Sequence, residues 1–173
     1  MKAVILAWWY WTRMLPFSKA VPKELLPVGS KPIIHHIVDN LVDAWIKDII
    51  IVTSYGKNAI DDYFDKNTEL EMILESKWKT SLLDEIRAIT QLANISVVRQ
   101  ADQRGVWDAI VCAESLINDE YFLVVNWDDL YHHKAILDMI IKSHDFDSPV
   151  MLLQNIAKEQ VIHFGIACIN NDN

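Results

Sequence analysis

The chain has 173 residues, about half of them apolar and 23% charged, which is enough for one domain with a sizeable buried core. Its formal net charge of -8 argues against general nucleic-acid binding, which wants a basic face, but leaves room for a small anionic ligand in a locally positive pocket. The two cysteines, Cys112 and Cys168, lie far apart and match no zinc or redox spacing, so a reducing, cytoplasmic setting is expected.

"KAVILA" (2–7) is a short continuous apolar run that suits a buried parallel strand. The apolar run over 3–11 is too short to span a bilayer. One lysine precedes it, no small-residue cleavage site follows, and Arg13 and Lys19 come next, so a secretory signal is not expected either. Residues 12–31, rich in Pro, Lys and Ser, read as a long functional loop. Pro32 opens a helix, "PIIHHIVDNLVDAW", with apolar residues at 33, 34, 37, 38, 41 and 42. "DIIIVT" (48–53) is a second buried strand, and "KNAIDDYFD" (57–65) a short helix. Residues 69–91 are strongly helical, with Leu82, Leu83, Ile86 and Ile89 on one face. "ISVVRQ" (95–100) is a third strand, "VWDAIVCAESLI" (106–117) a helix, and "YFLVVN" (121–126) a fourth strand. "HKAILDMIIKSH" (133–144) is a helix. "PVMLLQNI" (149–156) and "HFGIACIN" (163–170) read as two further strands.

Strands alternating with helices predict βαβ units, and hence a mostly parallel sheet covered on both faces. Ligands of such sheets sit at the carboxyl ends of the strands. Residues 8–31, 100–108 and 127–131 should therefore converge on one site. No internal repeat or low-complexity linker interrupts the chain, so a single domain over 1–173 is expected.

Glycine and tryptophan are out of proportion. There are four glycines and seven tryptophans, whereas about 7% glycine, or roughly twelve residues, would be usual. Residues 8–11 read Trp-Trp-Tyr-Trp, just where a strand runs into a loop that looks made for phosphate.

"TRMLPFSKAVPKELLPVGSKPIIHHIVD" (12–39) resembles the signature of bacterial and archaeal sugar-1-phosphate nucleotidyltransferases, above all the UTP–glucose-1-phosphate uridylyltransferases. That signature opens K-A-V-I-x-A-[AG]-G-x-G-T-R, followed by K-A-x-P-K-E-x-L-P and K-P-I-I. "SLLDEIRAI" (81–89), "ANISVVRQ" (93–100), "DAIVCAESLINDEYFLVV" (108–125), "DDL" (128–130) and "AKEQVIHFGIACI" (157–169) continue the resemblance along essentially the whole chain. It implies a Rossmann-like three-layer α/β/α fold. It also implies attack of a glucose-1-phosphate oxygen on the α-phosphorus of UTP, with pyrophosphate leaving. Such chemistry is mostly alignment and charge stabilisation.

Residue by residue, the resemblance implies that Ala7, Trp8, Trp9, Trp11 and Thr12 stand in the nucleotide loop. Arg13 would hold the leaving pyrophosphate, and Lys23 would reach the phosphates at the reacting centre. Asp128 would bind Mg2+ from the end of a buried strand, where an acidic side chain is costly unless it binds something. Gln100 would read the uracil edge, Gly105 would let the base approach the backbone, and Gly165 would lie beside the sugar. Asp129 has no assigned role. The six histidines form no ligand spacing, so no zinc site is expected.

The same resemblance places Trp8, Trp9, Trp11, Trp45, Trp107 and Trp127 where the family has small residues, chiefly glycine, with Trp78 a less certain case. Independent drift would not choose one replacement so consistently. Three indoles in one phosphate loop would take the volume of a triphosphate, and glycine conformations suit tryptophan poorly. Nucleotide binding is therefore expected to be badly weakened. Family members run well past this length, so the chain is expected to correspond to their N-terminal part and to self-associate through uncovered apolar surface. The alternatives are a thymidylyl-transferring relative and a non-catalytic module whose tryptophans serve packing or a partner surface.

Overall fold

The computed structural model describes residues 1–9, 15–118, 121–163 and 165–167. Elements in chain order are β1 (Lys2–Leu6), β2 (Pro27–Val28), β3 (Lys31–Pro32), α1 (Ile33–Asp43), β4 (Asp48–Thr53), α2 (Asn58–Phe64), α3 (Thr68–Ser76), α4 (Thr80–Thr90), β5 (Asn94–Arg99), α5 (Val106–Cys112), β6 (Phe122–Asn126) and α6 (His133–Phe146). They fall into two compact units, 1–133 and 134–173.

The first unit is built on a four-stranded sheet in the order β5-β4-β1-β6, parallel throughout. The central strands β1 and β4 are apolar at almost every position. Successive side chains of a strand point to opposite faces. Val4, Leu6, Ile50 and Val52 are buried on one face, and Ala3, Ile5, Ile49 and Ile51 on the other, so both faces are covered. Ala109 and Ala113 bring α5 and the turn after it against the first set. Small residues there let helix and strands approach closely. Helix α1 buries Ile34, Ile37, Val38 and Leu41, a stripe at helical spacing. The edge strands β5 and β6 are only half buried. The fold is thus α/β, with a parallel central sheet and flanking helices.

The loop over 12–31 holds more structure than its composition suggests. Phe17–Lys19 and Lys23–Leu25 are single 3-10 turns, and β2 and β3 pair as a small antiparallel hairpin. Gly29 turns that hairpin with φ 67, a left-handed conformation that glycine adopts cheaply.

The expected long helix over 69–91 is two helices. The break is a Schellman turn: Lys79 N–H donates to the Leu74 carbonyl and Trp78 N–H to the Glu75 carbonyl, with Trp78 at φ 55. The chain then reverses, so that Arg87 of α4 meets Glu71 of α3 at 2.9 Å. Helix α1 ends in the same way. Ile46 N–H donates to the Leu41 carbonyl, Trp45 N–H donates to the Val42 carbonyl, and Trp45 sits at φ 66. Trp107 does not share this geometry. It lies inside α5, in ordinary helix.

In the second unit, α6 is followed by chain without regular structure over 149–157 and a 3-10 stretch, Lys158–His163. The expected strand over 149–156 is therefore absent. Of the expected strand over 163–170, residue 163 belongs to that 3-10 stretch and 165–167 have no regular structure; the rest lies outside the described residues. An apolar run favours a strand only where a neighbour completes the hydrogen-bond ladder. Among the described residues, no helix is long and apolar enough to cross a membrane.

Candidate functional site

From β1 the chain crosses to β4 and then β5 on one side, and later returns to place β6 on the other side of β1. The direction of winding thus reverses between β1 and β6. In a parallel sheet, a crevice opens at that reversal, beyond the carboxyl ends of the two strands. Ala7–Trp9 leave one strand there, and Trp127–Asp128 leave the other.

Two indoles occupy those ends. Trp8 is 5% exposed and belongs to the core cluster with Val4, Leu6, Ile50, Val52, Ala109 and Ala113. Its ring meets Trp9 edge-on, with centroids 4.9 Å apart. Trp127 is 6% exposed, and the Lys23 ammonium lies 4.4 Å from its ring centroid, a cation–π contact. Neither Trp8, Trp9 nor Trp127 has a left-handed φ. Their effect on the crevice comes from bulk, not from backbone strain.

Lys23 is carried by the 3-10 turn Lys23–Leu25 and is buried. Burial lowers its pKa, the Glu24 charge raises it, Lys57 lowers it further and Asp128 raises it. Glu24 is fully buried and accepts from Lys57 Nζ at 2.6 Å. The same ammonium donates to the Ala7 carbonyl at 2.6 Å and the Trp9 carbonyl at 3.2 Å. An ammonium has three N–H groups, so Lys57 is fully satisfied. It ties the loop after β1 and the segment carrying Lys23 to the turn after β4. Burial pushes Glu24 up and Lys57 down, and each charge pulls the other back. A cleft of about 260 Å³ adjoins this knot, lined among others by Trp9, Lys19, Lys23, Tyr55 and Lys57.

The other expected residues are placed as follows. Gln100 ends the β5 ladder, its N–H donating to the Thr53 carbonyl. Its amide nitrogen lies 2.6 Å from Asp108 Oδ2 and 3.3 Å from the Gly105 carbonyl. Gly105 precedes α5 with φ 110, a conformation only glycine takes readily. Gln103 Nε2 donates to the Trp8 carbonyl at 3.3 Å, joining the loop after β5 to the loop after β1. Ala7, Trp8, Trp9, Lys23, Gln100, Gly105 and Asp128 are therefore all at the carboxyl edge of one sheet. Trp11, Thr12 and Arg13 lie outside the described residues. Gly165 belongs to the second unit and is exposed.

Asp128 differs from expectation in its setting. Strand β6 ends at Asn126, and Asp128 lies beyond it, exposed to solvent rather than buried. Its carboxyl pKa is still raised, first by partial desolvation and then by the Asp129 charge, while Lys23 opposes the shift. Asp129 has a local role: its Oδ2 accepts from Asn126 Nδ2 at 2.7 Å and from Tyr131 Oη at 2.9 Å. That pins the turn after β6. The Tyr131 hydroxyl is pushed well up, by burial first and then by its bond to Asp129.

Sequence reasoning missed Lys57, Glu24 and Asp108. Lys57 follows the carboxyl end of a strand adjacent to β1, which is the one signal that could have found it. Glu24 follows Lys23 directly, and Asp108 is an acid in the first turn of a helix, where helix-end electrostatics alone would explain it.

The nucleotidyl transferase family profile matches residues 2–173. The chain belongs to the nucleotidyl transferase family. A UTP–glucose-1-phosphate uridylyltransferase of Staphylococcus saprophyticus is 44% identical over 167 residues, spanning 95% of this chain and 58% of that protein. One from Bacillus subtilis is 39% identical over 167 residues, spanning 95% and 57%. The UTP-bound UDP-glucose pyrophosphorylase of Acinetobacter baumannii superposes with a TM-score of 0.78 at 36% identity, covering 84% of this chain and 53% of that one. The chain spans a little over half the length of these nucleotidyl transferases.

Proposed function

We propose that this chain is the nucleotide-binding part of an enzyme that transfers a uridylyl group from UTP to glucose 1-phosphate, releasing pyrophosphate. The observation that carries this reading is Lys23, held against Trp127 and within reach of the Asp128 charge at the reversal of strand order, with Gln100 farther along the same carboxyl edge at the end of β5, in a chain of this family. Lys23 offers a cation for the phosphates, and the knot around Lys57 holds it and the loop after β1 in fixed relation. Gln100 and Gly105 offer an amide and an approachable backbone to the base. Arg13 is assigned to the leaving pyrophosphate, and Gly165 to the sugar, by resemblance alone.

Asp128 fits a divalent cation. It is an accessible carboxylate, and hard cations such as Mg2+ take one or two protein carboxylates together with substrate phosphates. Among the described residues no group of three or more acidic, histidine or cysteine side chains is gathered for a metal, so phosphate oxygens would complete the shell. Bound there, Mg2+ would neutralise charge on the phosphates.

The burial of Trp8 and Trp127 supports a second statement: the crevice is filled by side chains, and the chain as it stands binds nucleotide weakly. Replacing Trp8, Trp9, Trp11 and Trp127 with glycine tests the reading. Titration calorimetry with UTP and Mg2+ is expected to show micromolar binding to this opened chain. Failure of the folded, opened chain to bind would contradict the assignment.

A further inference from the structure

The Gln100 amide is almost completely buried, at 1% exposure, and its two ends are treated differently. Both groups facing one end are acceptors: Asp108 Oδ2 at 2.6 Å and the Gly105 carbonyl at 3.3 Å. Only the amide NH2 can face two acceptors, so chemistry alone fixes which way the amide is flipped. Oε1 is consequently turned away from both and has no hydrogen-bond partner among the described residues. A buried carbonyl oxygen left without a donor is costly, and such an atom is the natural seat for a ligand N–H.

We propose that Asp108 is a positioning residue that locks the Gln100 amide with its oxygen presented to the base, and so selects a pyrimidine carrying a ring N3–H over one that does not. Uracil and thymine carry that N–H and donate it to Oε1. Cytosine has a lone pair at N3, which would face the Oε1 lone pairs. Were the amide free to flip, its NH2 could serve cytosine as readily as its oxygen serves uracil. Asp108, as a charged acceptor, makes that flip expensive, because the turned amide would set oxygen against carboxylate. The bland explanation is that Asp108 merely favours the start of α5 electrostatically. That role would affect every nucleotide alike, whereas the lock affects one base against another.

This inference rests on the uridylyl reading, and the experiment separates the two. UTP and CTP are titrated, each with Mg2+, into the opened chain and into its Asp108→Ala and Asp108→Asn variants. The opened chain should prefer UTP. Asp108→Ala should reduce the UTP-to-CTP ratio by about tenfold, the usual scale for losing a hydrogen bond to a charged group. Asp108→Asn, whose side-chain oxygen can still accept from Gln100, should recover part of the preference. If Asp108→Ala does not fold, Asp108→Ser, too short to reach the amide, carries the same expectation. In the unsubstituted chain, the Gln100 side-chain NH2 should exchange slowly with solvent by NMR, and faster in Asp108→Ala or Asp108→Ser. A UTP-to-CTP ratio unmoved by loss of Asp108 would overturn the lock and leave the uridylyl reading standing. Binding of neither nucleotide to the opened chain would overturn both.

Discussion

Trp8 and Trp127 follow the carboxyl ends of two strands and are almost wholly buried, whereas Trp45 and Trp78 follow the carboxyl ends of two helices and are 83% and 87% exposed. At the strand ends the indole is embedded: Trp8 is part of the core beneath α5, and Trp127 carries the Lys23 ammonium on its face. At the helix ends it touches little, and its cost lies in the backbone, held at φ 66 and φ 55. One residue type is thus buried at strand ends in one region and strains a turn in the other. Burial decides the first case and conformation the second.

The sharpest way to break this contrast is to truncate both kinds of site. Trp8→Ala should cost about 3–5 kcal/mol, the usual range for removing a large buried aromatic. Chemical denaturation reads this directly, and a loss below 1 kcal/mol would mean that Trp8 is not a core residue. Opening the crevice therefore costs stability, and nucleotide should return part of it by binding only the folded chain.

Acidification probes the helix region from the other end of α1. His35 is buried, with Nδ1 2.8 Å from Tyr63 Oη and Nε2 3.4 Å from Asp39 Oδ1, while Lys31 and His36 lie nearby. Its pKa is lowered, first by burial, with Asp39 opposing. The unfolded chain then takes up the proton more readily than the folded one. The contribution is present above the ordinary histidine value of about 6.5 and is lost as pH falls through the folded value. The unfolding midpoint should drop between pH 7 and pH 5, and His35→Gln should flatten that drop. An identical drop in the variant would remove His35 from the account.

The smallest effect is at the helix ends. Trp45→Gly and Trp78→Gly should each stabilise by about 1 kcal/mol, because glycine accepts the left-handed turn and little buried surface is lost. Destabilisation by either change would show that these indoles contribute packing after all, and would erase the contrast with Trp8.

Much of this was legible in the sequence. Continuous apolar runs marked β1 and β4, and Pro32 marked the start of α1. The resemblance named Lys23, Gln100 and Asp128 as site residues, and all three lie along the carboxyl edge of the sheet. What escaped depends on three-dimensional neighbours. Lys57 reads as the first residue of a short helix until the Ala7 and Trp9 carbonyls are seen around it. Asp108 reads as a helix-start acid until Gln100 is seen against it. The stretch 149–156 opens with an apolar run like a strand but lacks regular structure, since a strand needs a partner that local pattern does not supply. Asp128 was expected to be buried because it follows an apolar strand, yet β6 is an edge strand that ends two residues earlier.

Calorimetric titration of the unsubstituted chain with UTP and Mg2+ tests the central claim, that side chains of Trp8 and Trp127 fill the space where a nucleotide would lie. The account predicts no binding in the micromolar range. Micromolar binding would contradict it, because a triphosphate cannot share that space with two buried indoles.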